Sequence, residues 1–570
     1  MIYNPMKRRE LGALLVGIEF ASHLHSHGFF FIIKTSPMSR QQVRLLFLPV
    51  VFLAALISTH QACSAAKAAQ APLRGGTLRV KAFTDDFWPS LDPAKDPQTF
   101  VMEQIYDGLV RLDQDLNVLS SLAESWVISE DGKKSVFYLR KGVRFHHGKE
   151  LDAEDVKFSL ERLVNKKTAG AFYQYFTSKV VGAEEYYEGK AQDVQGFKVR
   201  DKYTFEIEWR YPYVSALYLL SMNFCKIVPR DLVLGQGNDF FFRPSGTGPF
   251  KFAYWLRSPK LDIVGVRLER NKDYFGKKPY LEALEFSPYY TLDQFLEKQI
   301  DVIPYISERL SEMDCRVLEN DTFSTFFLGM SCHIPPLDRP SVRKAISLGI
   351  DKKEAAKAAF RFDTVPLVTN NYIPAKLRGF FPADDDGIHN PEEGKAILRQ
   401  EGYSEANEFP TLNIFFPRPR QEEDPKVYRV LRDELASLGI KVRMKYYQSS
   451  KDLSSSSEPY LVMIGWIMDY PDPENIVLPM FSSSSVVNMN LLRYSSPRLD
   501  ELIKKAEVER SWRARIALFH KIEDILGEDI PAIPLFSRQQ RLALQPYVRG
   551  AKIPSLGLLY LDVKEIWLAE

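Results

Sequence analysis

The sequence predicts an α/β protein of two or three domains, and three observations carry that reading. The chain has 570 residues, 45% hydrophobic and 26% charged, which is enough for several ample cores. Residues 412–444 read as a βαβ unit. Leu412, Ile414 and Phe416 alternate, and Asp424-Pro425 opens a helix with Val427, Leu431, Leu435 and Leu438 inward. Gly439 closes it, and Ile440, Val442 and Met444 alternate again. Such a unit sets its strands parallel with a right-handed crossover. Finally, Leu461 to Met468 is apolar apart from Gly465, without alternation, which is the pattern of a strand buried on both faces.

Charge and cysteine usage narrow the class. The formal net charge is +2, which argues against a dedicated nucleic-acid binder. Residues 1–63 hold six Lys/Arg against two Asp/Glu, so the remainder carries about −2. Residues 38–71 read as an export signal: Arg40 and Arg44 precede the thirteen-residue apolar run Leu45–Ile57, and small residues follow. That run is too short to span a bilayer. Met38 is a natural start, with residues 1–37 either an upstream mis-start or a long basic leader. Cys63 is a candidate lipid acceptor, although His60-Gln61-Ala62-Cys63 departs at two positions from the Leu-Ala-Gly-Cys pattern. His23, His25 and His27 precede the export signal and carry little weight as a metal site. Cys225, Cys315 and Cys332 form no CxxC pair, so no zinc site is indicated. One disulfide among them and three free thiols are both open.

Thr77 to Val80 reads as a first strand, and Val101 to Val110 as a helix ending at Asp107-Gly108. Trp126-Val127-Ile128 and Ser135 to Leu139 are strands joined by a turn at Glu130-Asp131-Gly132, and Val143 to Phe145 is a third. Asp152 caps a helix with Asp155 at its third position, and Val156, Leu160, Leu163 and Val164 share one face. His146 and His147 read as turn residues. From about Phe326 the pattern restarts: a strand at Phe327–Met330, a helix ended by Gly349, and capping boxes at Asp351/Glu354 and Asn390/Glu393. Two later helices, the second ending at Gly527, precede a strand from Ala532 to Phe536.

At the carboxyl end of the apolar strand stands a polar corner, Asp469-Tyr470-Pro471-Asp472-Pro473. The prolines end the strand and fix a turn. In open α/β sheets, ligands bind outside the carboxyl ends of strands. Asp469 therefore delivers a carboxylate to such a place, with Trp466 and Tyr470 beside it. A buried carboxylate needs a cation or several donors, and a ligand amine would serve. The alternative is local: Asp469 bonds its own turn and Trp466 is core.

These segments resemble bacterial extracellular solute-binding protein family 5, the substrate-binding proteins of peptide- and nickel-type ABC transporters. GWIMDYPDP resembles the family's GWxxDYxxP. GGTLRV, LDP, YDGLV, residues 119–164, GTGPF at 246–250, RNKDYFGKKPYLEALEF at 270–286 and the closing EDIPAIPLF follow in order. GTGPF is no phosphate loop, lacking the GKS/T ending and following helix. The resemblance implies a two-lobed periplasmic binding protein fold of type II, cluster C-like, with an extra subdomain in the first lobe. Lobe I would take residues 74–325 and 535–570, with the subdomain near 113–235; lobe II would take 326–534. It implies that Asp469 pairs with a ligand's α-amino group while Trp466 and Tyr470 line the pocket. The protein would be a monomeric, cofactor-free periplasmic binder, soluble or lipid-anchored. It would close on a peptide and deliver it to permease subunits. The same fold also serves nickel chelates, haem, sugars and opine-like metabolites. A hydrolase is the remote alternative: there is no GxSxG, HExxH, P-loop or dinucleotide fingerprint, and no histidine cluster after Cys63.

Overall fold

The computed structural model describes residues 71–83, 89–95, 99–168, 170–310, 313–359, 364–382, 388–417 and 425–570. The export-signal, Cys63 and Asp424 readings lie outside these residues. Residues from Pro72 onward form one compact unit. Its backbone is a twelve-stranded sheet. One end runs Val442–Tyr447, Leu412–Pro417, Tyr460–Ile467, Ser324–Met330; the other runs Val302–Ile303, Thr77–Lys81, Ala283–Ser287, Ile263–Arg270, Phe250–Arg257.

The strand Ala532–Leu544 joins the two ends. Ala532 to Phe536 pairs antiparallel with Gly329 to Phe326, whereas Ala543 and Leu544 pair with Ile303 and Val302. It also pairs with Thr364–Val368 along Phe536 to Gln540 and with Arg316–Asp321 along Gln539 to Leu544. The predicted strand was five residues; the observed one is thirteen. Its middle, Ser537 to Arg541, is half-buried and polar, so hydrophobic periodicity does not join it to the predicted strand. Ladder partners distant in sequence hold it extended.

The βαβ unit is present: Leu412–Pro417 and Val442–Tyr447 pair in parallel around the helix Lys426–Ser437. Asn413 and Phe415 are buried as well as Leu412, Ile414 and Phe416, because both faces of this strand are covered: Phe415 packs into one core and Leu412, Ile414 and Phe416 into another. Tyr460, Val462 and Ile464 face one core and Leu461 the other. The strand is buried on both faces only in its first half. Leu412–Pro417 pairs with it only as far as Val462, so Gly465 and Ile467 are exposed. A Cβ on Gly465 would lie 2.2 Å from the Phe326 ring, which explains the glycine inside the strand.

A separate four-stranded antiparallel sheet orders Ala123–Ile128, Lys134–Leu139, Thr204–Glu208 and Phe197–Asp201. The helix Ala153–Val164 packs on it with the reciprocal Asp152/Asp155 cap expected. Asp351 caps its helix through the amides of Lys353 and Glu354. Other boundaries moved. The first helix is Thr99–Ile105, because Val110–Leu112 leaves to pair with Val118–Ser120. Val143 to Phe145 forms a tight turn against Lys149–Leu151 rather than a strand. The last long helix, Trp512–Asp529, passes through Gly527 and ends at Ile530, whose φ is 45°. Cys225, Cys315 and Cys332 are free thiols.

His146 ties two sequence motifs together. Its Nε2 lies 3.0 Å from the Gly248 carbonyl, and its Nδ1 accepts from the Gly246 amide at 3.2 Å. Burial drives its pKa down to about 4, so the ring is neutral and donates through Nε2. The Gly246–Gly248 turn in turn presses on the end of the first helix: a Cβ on Gly246 would stand 2.0 Å from the Ile105 carbonyl oxygen. Gly246→Ala should therefore cost about 1–3 kcal/mol through forced backbone displacement. Urea unfolding should show a lower midpoint at unchanged slope.

Candidate ligand-binding site

The corner after Tyr460–Ile467 builds itself from short-range bonds. Met468 still pairs with the Phe323 carbonyl at 2.8 Å. Asp472 then accepts from the Glu474 amide at 2.9 Å, opening the helix Glu474–Phe481. The local turn is thus served by Asp472. Asp469 points elsewhere: its own amide donates to Asn475 Oδ1 at 2.8 Å, and Asn475 Nδ2 donates to its Oδ2 at 3.3 Å. Trp466 Nε1 reaches the same Asn475 oxygen at 3.3 Å. Asn475, only 1% exposed, thereby fixes both Asp469 and Trp466.

A second bond to Asp469 comes from a remote segment. The Tyr175 hydroxyl, on the helix Gln174–Thr177, donates to Asp469 Oδ2 at 2.9 Å. Its ring stacks on Phe224 with centroids 5.7 Å apart and meets Tyr470 edge-on at 6.4 Å. Tyr470 is 1% exposed and belongs to the core built by residues 94–227. Trp466 is half-buried against the other core, together with Leu112, Leu116 and Tyr560. Tyr560, Leu112, Leu116 and Glu103 line a cavity of about 70 Å³. The sequence reading singled out Asp469, Trp466 and Tyr470; it missed Tyr175, Asn475 and Tyr560. Tyr175 lies 294 residues away along the chain and had no signal. Asn475 had one: a polar residue one position into a helix of otherwise apolar character.

Charge balance sets Asp469 apart from its neighbours. Arg515 pairs with Asp472, and it also reaches Glu474 at 3.4 Å. Lys179 reaches Glu474 at 3.0 Å. Burial acts to raise Glu474, but Lys179 and Arg515 outweigh it and hold its carboxyl below the usual range. Asp469 has no Lys or Arg partner among the described residues. Burial raises its pKa, and the hydrogen bonds from Tyr175 and Asn475 only partly offset that. Burial, then Asp469 and Glu103, push the Tyr560 phenol well above its ordinary value, so it stays a neutral donor. No group of three or more metal-ligating side chains occurs among the described residues. No helix among them is long and apolar enough to cross a membrane.

The comparisons with known proteins agree with this architecture. Residues 117–488 match the family described as Bacterial extracellular solute-binding proteins, family 5 Middle. The chain belongs to that family. It is 25% identical over 470 residues to the dipeptide-binding protein of Escherichia coli, covering 77% of this chain and 84% of the relative. It is 24% identical to heme-binding protein A of Haemophilus influenzae, covering 79% and 84%. Among solved structures, the ABC transporter-associated periplasmic binding protein DppA from Helicobacter pylori, in complex with peptide STSA, superposes with a TM-score of 0.70. It covers 87% of this chain and 99% of that one at 24% identity. The family 5 chain thus has the two-lobed type II periplasmic binding protein fold.

The raised pKa of Asp469 makes a checkable statement about the arrangement with Tyr175 seated on Asp469 and no ligand cation present. A buried carboxyl harder to ionise than in the unfolded chain costs stability only while it is ionised. That cost is full above its raised native pKa and disappears as pH falls through it toward the ordinary 3.8. Without ligand, Asp469→Asn should therefore populate that arrangement more than the parent near neutral pH, with the difference closing on acidification. Small-angle scattering of both proteins across that range reads it; a difference of constant size would count against an uncompensated charge.

Proposed function

We propose that this protein binds peptides between its two lobes and delivers them to the membrane permease of an ABC importer. The carrying observation is the Asp469 carboxylate, half-buried, fixed by Tyr175 and Asn475, and without a cation among the described residues while its neighbours Asp472 and Glu474 have theirs. A peptide's α-ammonium supplies the missing charge. A binder of varied peptides holds what all share, and the amino terminus is one such group. Trp466 and Tyr470 frame Asp469, with Trp466 offering a flat surface and Tyr470 buttressing Tyr175. The dipeptide-binding relative and the STSA-bound neighbour support the ligand class. In this reading the protein is a non-enzymatic, cofactor-free monomer outside the cytoplasmic membrane, and any lipid anchor is at Cys63.

Lobe I comprises residues 74–325 and 535–570, with the subdomain near 113–235, and lobe II comprises 326–534. The strand Ala532–Leu544, paired at one end to Ser324–Met330 and at the other to Val302–Ile303, supports a crossing there. The polar stretch around Ser537–Gln540 would act as a hinge. Closure then requires that ligand bind the closed arrangement better than the open one.

Two measurements test this. Breaking one side of a buried ion pair costs about 3–5 kcal/mol. Asp469→Asn should thus lose about a hundred- to several-thousand-fold in affinity for Ser-Thr-Ser-Ala by calorimetric titration. The N-acetylated peptide should bind the parent equally poorly. Equal affinity of parent and variant would make Asp469 a structural residue only. Small-angle scattering should show a smaller radius of gyration at saturating peptide, and superimposable curves would remove the hinge.

A further inference from the structure

A cluster of charges lies one step beyond Asp469, its carboxylates already paired with cations. Lys179 Nζ sits 3.0 Å from Glu474 Oε1 and 3.1 Å from Glu507 Oε1, over the Tyr213 ring at 4.4 Å. Glu474 Oε2 accepts from Ser215 Oγ at 3.0 Å, and the Tyr211 hydroxyl bonds Glu507 at 3.3 Å. Arg515 pairs with Asp472 and donates to the Ala506 carbonyl at 2.8 Å. Side-chain exposure is 5% for Lys179, 3% for Glu474 and 0% for Arg515.

The cluster divides cleanly between the two lobes proposed above. Lys179, Tyr211, Tyr213 and Ser215 come from the segment that builds the core of residues 94–227. Asp472, Glu474, Glu507 and Arg515 come from the corner and from the helices Pro497–Val508 and Trp512–Asp529. Arg515 and Asp472 neutralise each other within one side. Glu474 and Glu507 have their main cation, Lys179, on the other. The same two segments also carry the amine site: Tyr175 precedes Lys179 by one helical turn, and Asp469 precedes Glu474 by a turn of chain.

We infer that the Lys179–Glu474–Glu507 bridge is a latch: it forms when the lobes close on ligand and separates when they open. Chemistry suits it for this. An apolar interface of the same size would strand hydrophobic surface in water on opening. Lys179, Glu474 and Glu507 can each be hydrated instead, and the desolvation of a buried ion pair offsets much of its attraction. The closed arrangement is then poised close to balance, and the ligand decides. The shared segments make the coupling mechanical: seating Tyr175 on Asp469 brings Lys179 onto Glu474. This inference rests on the hinge reading above, but not on the identity of the ligand.

The test is Lys179→Met, which keeps the length of the side chain and removes its charge, together with Glu507→Gln. The latch predicts that ligand-free Lys179→Met melts at the parent's temperature, because the open form does not contain the bridge. It also predicts that Ser-Thr-Ser-Ala binds about ten- to a hundredfold more weakly, through faster dissociation. Glu507→Gln should show a smaller loss of the same kind, since Glu474 remains. A fall of several degrees in ligand-free melting would make the cluster a permanent interface and overturn the latch. So would unchanged peptide affinity in a parent that binds. A parent that binds no peptide would overturn the peptide reading instead, and the ligand-free melting comparison would then decide the latch alone.

Discussion

Burying charge at the corner between Asp469 and Asn475 is the constraint on which this structure depends. Three carboxylates, at Asp469, Asp472 and Glu474, lie within six residues at the end of a buried strand. A low-dielectric site does not tolerate that density without cations or donors. The fold meets the demand by bringing distant groups in: Arg515 to Asp472, Lys179 to Glu474, and Tyr175 with Asn475 to Asp469. Tyr175, Lys179 and Ser215 bond across from the region of residues 94–227 to the corner beyond residue 460.

The accounting is uneven, and the unevenness is what gives the site a function. Neutral donors satisfy the hydrogen-bonding capacity of Asp469 Oδ2 but leave its charge. A charge held by dipoles rather than by an ion is available to a visiting cation, which displaces only water. The geometry is also pre-organised, since Asn475 fixes the backbone amide and the side chain of Asp469 with one amide group. Little side-chain entropy remains to be lost when a ligand arrives.

The sheet explains why the corner is where it is. Tyr460–Ile467 is flanked on both sides near its start and on one side near its end. Its buried half anchors the strand, and its open half exposes Gly465 and Ile467 at the carboxyl edge. Ala532–Leu544 then ties this region to the first strand of the chain through Val302–Ile303. The middle of that long strand, Ser537 to Arg541, is half-buried and carries little apolar surface, in contrast to its buried ends.

The sequence by itself determined whatever is local. The βαβ unit, the Asp152/Asp155 cap and the apolar run at 461–468 follow from periodicity and capping within a dozen or so residues. The polar corner after that run likewise marked Asp469 as a carboxylate at a strand's end. Periodicity misplaced elements where strand pairing decides the outcome: the first helix stops at Ile105 so that Val110–Leu112 can pair with Val118–Ser120, and Ser537–Leu544 stays extended only because three other strands, all distant in sequence, bond it. Tertiary structure alone decided which carboxylates are neutralised. Lys179 lies 295 residues from Glu474, and Tyr175 lies 294 from Asp469. Electrostatic pairing acts through space rather than along the chain, so no local pattern shows that Asp469 is the one of these three corner carboxylates with no cation among the described residues.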